Sequence, residues 1–284
     1  MKIARYLADD GPTWGLVEIA TERATVRPIR GAISEWAPAL VSSGFADLPV
    51  EDEELPLESV RLLAPVEAAT KVLGVGANYW EHLRRLGRTE RPTHLASFIK
   101  PISAIVGPDD EIRYPLLTQE LDYEVELVAV MGTPVTPMTA DAVPAVLGYT
   151  VGNDISARDF RHGDKGPDLV SMKANDATTP LGPWIVTADE LAPADQLDLT
   201  ITCRVDGEVR QEDSTSQMLW RVPEILDFFR LRISLAPGDM VFTGTTCGVG
   251  LEDGRFLTEG QTVETEVESI GVLRNVVGAR GERG

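Results

Sequence analysis

Hydrophobic and polar positions alternate along much of the chain with a period of two, the pattern of strands that bury one face. Two short N-terminal strands are predicted over 2–8 and 13–19, on either side of an Asp-Asp-Gly-Pro turn. Further strands are predicted over 71–75, 121–130, 147–151, 184–187, 197–205, 240–242 and 263–268. The pattern therefore predicts a mixed α/β protein that is mainly β.

Helical periodicity is confined to short segments. Ser34 is a candidate cap for a helix that ends near residue 42, and Pro223 stands in the first turn of a second helix that reaches Arg230. Residues 47–59 contain six acidic residues and two prolines, which indicates a linker. We therefore expect a small N-terminal domain with its acidic linker over 1–62 and a larger domain over 63–284.

Charge and composition narrow the possible functions. The 284 residues include 26 Lys and Arg against 45 Asp and Glu, a formal net charge of −19. Nucleic acid is not expected as a partner, because phosphate binding requires clustered positive charge. No apolar run approaches the length of a membrane span. Cys203 and Cys247 lie far apart and outside any Cys-x-x-Cys motif, which favours reduced thiols in a cytoplasmic protein.

Carboxylates in two short segments are candidate metal ligands. Apolar and acidic residues alternate over 121–128, so Glu124 and Glu126 point to one face, roughly 6–7 Å apart along the strand. Asp122 lies beside them, and a second apolar segment ends in the lone acid Asp154. Two glutamates and one aspartate are the hard oxygen ligands that Mg²⁺ or Mn²⁺ prefers.

Alternating acids do not identify a metal site by themselves. Such residues more often form the solvated face of a strand. Residues 262–268 alternate as cleanly as 121–128 does, and both segments cannot be the site. The surrounding motifs must decide between them.

Further motifs follow in a fixed order along the chain. They are Gly-Val-Gly-Ala-Asn-Tyr-Trp-Glu-His at 74–82, Phe-Ile-Lys-Pro at 98–101, Asp-Tyr-Glu-Val-Glu-Leu at 122–127, the Gly-Tyr to Arg-Asp segment at 148–159, Lys173, Thr-Pro-Leu-Gly-Pro-Trp at 179–184, Asp-Gly-Glu-Val-Arg-Gln at 206–211, Pro-Gly-Asp at 237–239 and Thr-Gly-Thr at 243–245. Together these motifs resemble the fumarylacetoacetate hydrolase family in its bacterial-type, two-domain form. The resemblance runs from about residue 70 to 277 and implies a rolled, mixed β-sandwich core in a homodimer.

The resemblance also implies a site and a chemistry. One Mg²⁺ or Mn²⁺ ion would be held by Glu124, Glu126 and Asp154, while the acids of 264–268 have no metal role. Members of the family act on small 2-oxo or 1,3-dicarbonyl acids, whose enolate the metal stabilises. Lys173 is implied as a catalytic residue near the metal, and Thr245 as a substrate contact from a Gly-Thr turn.

The implied catalytic histidine lacks its usual partner. His82 matches the histidine of the family's Asn-Tyr-x-x-His segment, in which Tyr79 is a candidate substrate contact. In family hydrolases this histidine lies on a lid and pairs with a glutamate three residues later to activate water. Position 85 is Arg85 here, which would disfavour imidazolium. Glu81 and Glu90 are nearby but offset.

A second departure concerns the edge of the substrate pocket. The family places a glutamine seven residues after the metal-binding aspartate, where this chain has Arg161. An arginine there favours a substrate carboxylate through bidentate pairing, and His162 and Lys165 follow it. The alternative is a solvated charge cluster.

Three functions remain open from the sequence. The first is a metal-dependent hydrolase that cleaves a C–C bond in a small 2,4-dioxo acid of the acylpyruvate, fumarylpyruvate or diketo sugar acid type. Because Arg85 replaces the lid glutamate, the second is an oxaloacetate-type decarboxylase, or a hydratase or tautomerase of a 2-oxo acid. The third is a metal-binding homologue that binds a small acid without chemistry.

Overall fold

A computed structural model describes residues 1–21, 23–160 and 168–281. The strands are β1 (Lys2–Ala8), β2 (Gly11–Ala20), β3 (Arg23–Ile29), β4 (Leu55–Pro56), β5 (Arg61–Leu63), β6 (Val72–Gly76), β7 (Ala96–Lys100), β8 (Ile105–Val106), β9 (Leu121–Asp122), β10 (Val125–Met131), β11 (Val146–Asn153), β12 (Ser156–Ala157), β13 (Thr179–Thr187), β14 (Thr200–Val205), β15 (Glu208–Ser214), β16 (Met240–Phe242), β17 (Thr262–Val267) and β18 (Gly271–Val276). The helices are α1 (Ile33–Ser42), α2 (Trp80–Arg85), α3 (Leu169–Lys173), α4 (Val222–Arg230) and α5 (Gly250–Asp253). The prediction of a mainly β chain is confirmed. Among the described residues, no helix combines the length and apolar character needed to cross a bilayer.

The largest sheet joins the N-terminal strands to those that carry the predicted metal ligands. Its main order is β4-β3-β2-β1-β13-β11-β10-β16-β6-β7. β1 pairs antiparallel with β13, and one apolar cluster contains both Ile3 and Trp36 from the N-terminal region and Val128 and Phe242 from the later strands. Residues 47–59, expected as a linker, include β4, which pairs with β3 at the edge of this sheet. A domain boundary near residue 62 stays a prediction.

A second sheet packs over the first and completes a sandwich. Its order is β15-β14-β17-β18. Leu127 and Val151 from the large sheet share a core with Ile201 and Leu273 from the smaller one. Apolar residues that alternate along each strand therefore meet between the layers, as expected for sheets that each bury one face.

The predicted single strand over 121–130 is interrupted, so that prediction was wrong. β9 pairs with β12, whereas β10 pairs with β11 on one side and β16 on the other. At the change of partner, the Glu124 amide donates to Asn153 Oδ1 at 3.0 Å, and the Asp154 amide donates to the Glu124 carbonyl at 2.9 Å. The switch brings Glu124 and Asp154 together where β10 and β11 meet.

The second acidic segment has the solvated face that its pattern also allowed. On β17, Glu264 and Glu266 are partly exposed. Glu264 pairs with Arg274, and Glu266 pairs with Arg204 at 2.8 Å. Both β10 and β17 lie between two paired strands. They differ in burial because the acidic face at β10 is covered by buried groups such as Lys173, whereas the acidic face of β17 is partly open to solvent.

The close approach of β11 and β13 leads to a prediction about stability. A Cβ at Gly148 would lie 2.1 Å from the Val186 carbonyl oxygen, whereas a Cβ at Gly76 would have no heavy atom within 4 Å. We expect Gly148→Ala to cost about 1–3 kcal/mol or more, since the backbone must separate to admit the methyl group. The melting temperature should fall by several degrees, with Gly76→Ala as the control. Equal melting temperatures for the two variants would contradict this account.

Candidate active site

The three predicted metal ligands form one buried cluster. Glu124 lies at the break before β10, Glu126 lies on β10, and Asp154 follows β11. One carboxylate oxygen from each lies within 4.8 Å of those of the other two. Their exposed fractions are 5%, 1% and 0%. The side chains that the sequence analysis selected as a ligand set are therefore adjacent and withdrawn from water.

Two lysines contact this cluster. Lys173 Nζ lies 2.6 Å from Glu124 Oε2 and also donates to Asp154. Lys100 pairs with the other oxygen of Asp154 and donates to the Ile155 carbonyl at 3.2 Å. The predicted position of Lys173 beside the carboxylates is thus observed. Lys100 belongs to the Phe-Ile-Lys-Pro motif at 98–101, but the sequence analysis gave it no role in the site.

The neighbouring cations pair with Glu124 and Asp154 but not, among the described residues, with Glu126. Burial alone would raise the pKa of Glu124, but Arg158 and Lys173, with a smaller contribution from His82, hold that pKa below its usual value. Burial, followed by the charges of Asp154 and Glu124, raises the pKa of Glu126 well above its usual value. Among the described residues, no cationic side chain is ion-paired with Glu126. A buried carboxylate in that state fits a site that holds a cation.

The backbone before Thr245 supports the free carboxylate. The Gly244 amide donates to Glu126 Oε2 at 2.6 Å. Gly244 has a φ of +93°, and a Cβ there would lie 2.7 Å from Asn78 Cβ, so this position requires glycine. The Asn78 side chain in turn donates to the Thr243 carbonyl at 2.7 Å. This arrangement leaves the other oxygen of Glu126 available to a ligand.

Arg158 connects the cluster to a further buried acid. Its guanidinium pairs with Glu124 and donates from Nε to Asp122 Oδ2 at 2.8 Å. Asp122 also accepts hydrogen bonds from the Gly250 and Leu251 amides at the start of α5. The sequence analysis expected Asp122 to lie beside the ligands. In the structure Asp122 lies on β9, before the interruption of the strand, and Arg158 bridges it to Glu124.

His82 has a carboxylate partner that sequence reasoning missed. His82 Nδ1 lies 2.7 Å from Glu252 Oε1, and both side chains are less than one-tenth exposed. The Gly248 amide donates to Glu252 Oε2 at 2.9 Å, which fixes the carboxylate. The partner comes from α5, 170 residues further along the chain. Its only local signal was a glutamate shortly after the Thr-Gly-Thr motif.

The acids near His82 in sequence serve other groups. Glu81 accepts hydrogen bonds from Arg84 at 2.8 Å and from Arg85 at 3.2 Å, and these hydrogen bonds lower the pKa of Glu81 to about 2. Glu90 is exposed. Arg85 also lies 3.6 Å from Glu252 Oε2. The arginine at position 85 therefore does not leave His82 without a carboxylate.

The two predicted substrate contacts in the described part of the chain are both buried. Thr245 donates to the Val125 carbonyl at 2.8 Å and accepts from Gln211 Nε2 at 2.9 Å, so its hydroxyl already supports β10. Tyr79 is fully buried, and its hydroxyl has no hydrogen-bond partner among the described residues. Burial, then the charge of Glu126, raises the pKa of Tyr79. Their roles toward a substrate stay predictions.

The predicted basic edge of the pocket lies outside the described residues. It consists of Arg161, His162 and Lys165, which all fall between 160 and 168. The interpretation of Arg161 as a carboxylate-binding residue therefore stays a prediction.

Two family models match the chain and divide it near residue 65. The model for "Rv2993c-like, N-terminal" matches residues 1–65, and the model for "Fumarylacetoacetate (FAA) hydrolase C-terminal" matches residues 71–278. The chain belongs to the fumarylacetoacetate hydrolase family. The buried carboxylates and the His82–Glu252 pair described above lie within the second match.

The relatives of this fumarylacetoacetate hydrolase family member include proteins named as a tautomerase and as an isomerase. A mitochondrial oxaloacetate tautomerase of Bos taurus is 37% identical over 272 residues, which cover 95% of this chain and 86% of the relative. Protein Rv2993c of Mycobacterium tuberculosis is 41% identical over 229 residues, with 80% and 82% covered. The crystal structure of a 2-hydroxyhepta-2,4-diene-1,7-dioate isomerase from Mycobacterium marinum is 34% identical, with a TM-score of 0.81 and coverage of 99% and 100%. The predicted family fold is thereby confirmed.

Proposed function

We propose that this protein is a divalent-metal-dependent tautomerase that interconverts the keto and enol forms of a small 2-oxo dicarboxylic acid of the oxaloacetate type. The observation that carries the proposal is the combination of the buried carboxylate cluster with Lys173 and the His82–Glu252 pair. A keto–enol exchange moves one proton from carbon to oxygen. It therefore needs a proton carrier and positive charge near the enolate oxygen.

The carboxylate cluster would hold the metal. Glu124, Glu126 and Asp154 are oxygen donors that suit Mg²⁺ or Mn²⁺. Glu126 is buried and not ion-paired within the described part of the chain, so a cation there would relieve the cost of its burial. When bound, the ion supplies Lewis-acid stabilisation of negative charge that develops on oxygen.

The His82–Glu252 pair would move the proton. Glu252 accepts the hydrogen of Nδ1, which leaves Nε2 of the neutral ring as the basic nitrogen. When protonated, His82 would help to hold the pKa of Glu124 down, which places the ring within electrostatic reach of the cluster. Burial of both partners excludes water from the hydrogen bond between them. A fixed neutral ring can take a proton from substrate carbon and return it to oxygen.

Lys173 would add a fixed positive charge on the side of Glu124 and Asp154. Burial opposes the charged form, but Asp154 and Glu124 together keep the pKa of Lys173 above its usual value. In the metal-free protein, Lys173 donates hydrogen bonds to both of these carboxylates. Its role is therefore to stabilise an enolate or a carboxylate of the substrate.

A second candidate is hydrolysis of a C–C bond in a 2,4-dioxo acid. The specific observation in its favour is again Glu252, because the sequence argument against hydrolysis was the absence of a carboxylate partner for His82. A histidine with such a partner can activate water as well as carbon-bound hydrogen. The names of the bovine and mycobacterial relatives favour the proton-transfer reaction.

The test is a comparison of two substrates with defined products. With Mg²⁺ present, enol oxaloacetate should convert to the keto form faster with protein than with Mg²⁺ alone, as followed by loss of enol absorbance. Acetylpyruvate should release little pyruvate. The matched control is the Glu126→Gln protein at the same metal concentration.

Other outcomes assign other functions. Stoichiometric pyruvate and acetate from acetylpyruvate would indicate the hydrolase, and pyruvate with carbon dioxide from oxaloacetate would indicate a decarboxylase. No rate above the metal blank with either substrate would favour a binding homologue. Repeating the active assay with Mn²⁺ would rank the two metals.

A homodimer is part of the same proposal. It rests on the family resemblance. Light scattering on the purified chain tests it, and a mass near 31 kDa would contradict it, since one chain has a mass of 30.9 kDa.

A further inference from the structure

Asp122 is a fully buried carboxylate outside the candidate metal cluster. Its exposed fraction is 0%, and each of its two carboxylate oxygens accepts two hydrogen bonds. Oδ1 accepts from the Tyr123 amide at 3.0 Å and from the Gly250 amide at 2.6 Å. Oδ2 accepts from Arg158 Nε at 2.8 Å and from the Leu251 amide at 3.1 Å. One side chain thus joins β9, the Arg158 segment and α5.

Helix α5 depends on Asp122 for its position. It contains four residues, too few to form a stable helix without tertiary contacts. Its first two amides bind Asp122, and a Cβ at Gly250 would lie 2.9 Å from Asp122 Oδ1, so the carboxylate and the helix are in close contact. Glu252 follows within the same turn. The direction of the Glu252 carboxylate therefore depends on how Asp122 holds the helix, together with the hydrogen bond from the Gly248 amide.

The other side of Asp122 leads to the metal cluster. Arg158 donates from Nε to Asp122 and from a terminal nitrogen to Glu124. A guanidinium is planar and rigid, so its two contacts cannot shift independently. Arg158 therefore links the position of Asp122 to that of the ligand Glu124.

We infer that Asp122 is a positioning residue that couples the metal ligand Glu124, through Arg158, to the His82–Glu252 pair, through α5. The inference rests on the proposed function only for the catalytic roles of Glu124 and of the His82–Glu252 pair. The physical coupling is a property of the folded chain. It requires that the hydrogen bond between His82 and Glu252 weaken when the Asp122 carboxylate is changed, even without substrate.

The main experiment measures His82 directly in metal-free protein. Nitrogen NMR of the imidazole rings distinguishes which nitrogen carries the hydrogen, and the chain has only three histidines. In the unaltered protein, His82 should show a hydrogen held on Nδ1. Asp122→Asn removes the charge and one acceptor oxygen, so the side chain can no longer accept hydrogen bonds from both helix amides and from Arg158. The NMR signal of His82 should then no longer show a hydrogen held on Nδ1.

Asp239→Asn is the matched control. Asp239 is 1% exposed, accepts from the Lys71 and Ala236 amides at 2.7 Å each, and pairs with Lys71 Nζ at 2.6 Å. It resembles Asp122 in burial and bonding, but within the described part of the chain no hydrogen bond or ion pair joins it to α5. Both variants should lower the melting temperature, and only Asp122→Asn should change His82. Equal NMR changes in the two variants would reduce Asp122 to a stabilising residue and overturn the inference.

Metal affinity and activity give a second reading of the same coupling. Loss of a residue that supports metal ligands typically costs about 10–100-fold in metal affinity or activity, and we expect Asp122→Asn to fall in that range. In a Glu252→Gln background, the further change Asp122→Asn should lower kcat by a smaller factor than Asp122→Asn does alone. The reason is that the two substitutions act through the same histidine. Full additivity would overturn the inference.

A second variant covers the case in which Asp122→Asn does not fold. Arg158→Lys keeps the charge but lacks the fork that spans Asp122 and Glu124, so it should produce the same change at His82. An unchanged His82 signal in the folded Arg158→Lys protein would overturn the coupling. Because the NMR signal needs no turnover, an inactive protein with the expected signal would refute the proposed function alone.

Discussion

Replacing Glu126 with glutamine is expected to abolish metal-dependent activity while leaving the protein folded. Glutamine keeps the shape and the hydrogen bond from Gly244 but removes a charged ligand from a cluster of three. Calorimetric titration with Mg²⁺ should show no binding in the concentration range that saturates the unaltered protein. Mg²⁺ binding that survives the combined replacement of Glu126 and Asp154 by Gln and Asn would contradict the metal assignment.

The same replacement has an expected effect on stability that separates it from Glu124→Gln. In the absence of metal, the folded state raises the pKa of Glu126, so its ionisation opposes folding as the pH rises above its unfolded value. Glu126→Gln should therefore raise the melting temperature of the metal-free protein at neutral pH. The gain should shrink as the pH falls toward about 4.3, the ordinary glutamate pKa, and be absent below that pH.

Glu124→Gln should have the opposite sign. Arg158 and Lys173 lower the pKa of Glu124 in the folded state, so its ionised form stabilises the fold above its unfolded pKa, and that stability is lost as the pH falls through the folded pKa. The substitution leaves two buried cations with a weaker partner. Thermal unfolding of both variants in the presence of a chelator measures the difference. A shift of the same sign in both would contradict the division of charge within the cluster.

The ligand cluster was predictable from the alternation of residues together with the order of the surrounding motifs. Alternation on 121–128 placed Glu124 and Glu126 on one face, and the order of motifs distinguished that segment from 262–268. Alternation could not do so, because it reports which residues share a face and not whether the face is covered. The covering comes from α3 and β7, which are remote in sequence and supply Lys173 and Lys100.

Contacts between distant segments were not predictable in the same way. Glu252 reaches His82 from a four-residue helix that has no periodicity to detect. Asp122 seemed to continue the strand of Glu124, since nothing in the alternation marks a change of strand partner. That change depends on the Asn153 side chain, which takes the place of a ladder partner for the Glu124 amide. The sequence therefore indicated the kinds of residue in the site better than their pairing.

Glu252→Gln is expected to lower kcat by about 10²–10⁴-fold with little change in KM, the range that general acid–base catalysis usually contributes. Glutamine can present its amide nitrogen to His82 Nδ1, which then no longer donates its hydrogen, and Nε2 ceases to be the basic nitrogen. Glu81→Gln is the matched control, because Glu81 is near His82 in sequence but binds Arg84 and Arg85. Its kcat should stay within a few-fold of the unaltered enzyme.

Arg85 gives the sharper test of which carboxylate serves His82. If position 85 merely lacked the family's glutamate, Arg85→Glu would supply a partner and raise the hydrolysis of an acylpyruvate. Glu252 already lies 3.6 Å from Arg85. A carboxylate at position 85 would therefore repel Glu252 and weaken its hydrogen bond with the imidazole. We therefore expect Arg85→Glu to lower the rate with oxaloacetate and not to raise hydrolysis. An increase in acylpyruvate cleavage, or a loss in Glu81→Gln equal to that in Glu252→Gln, would show that α5 does not supply the partner of His82.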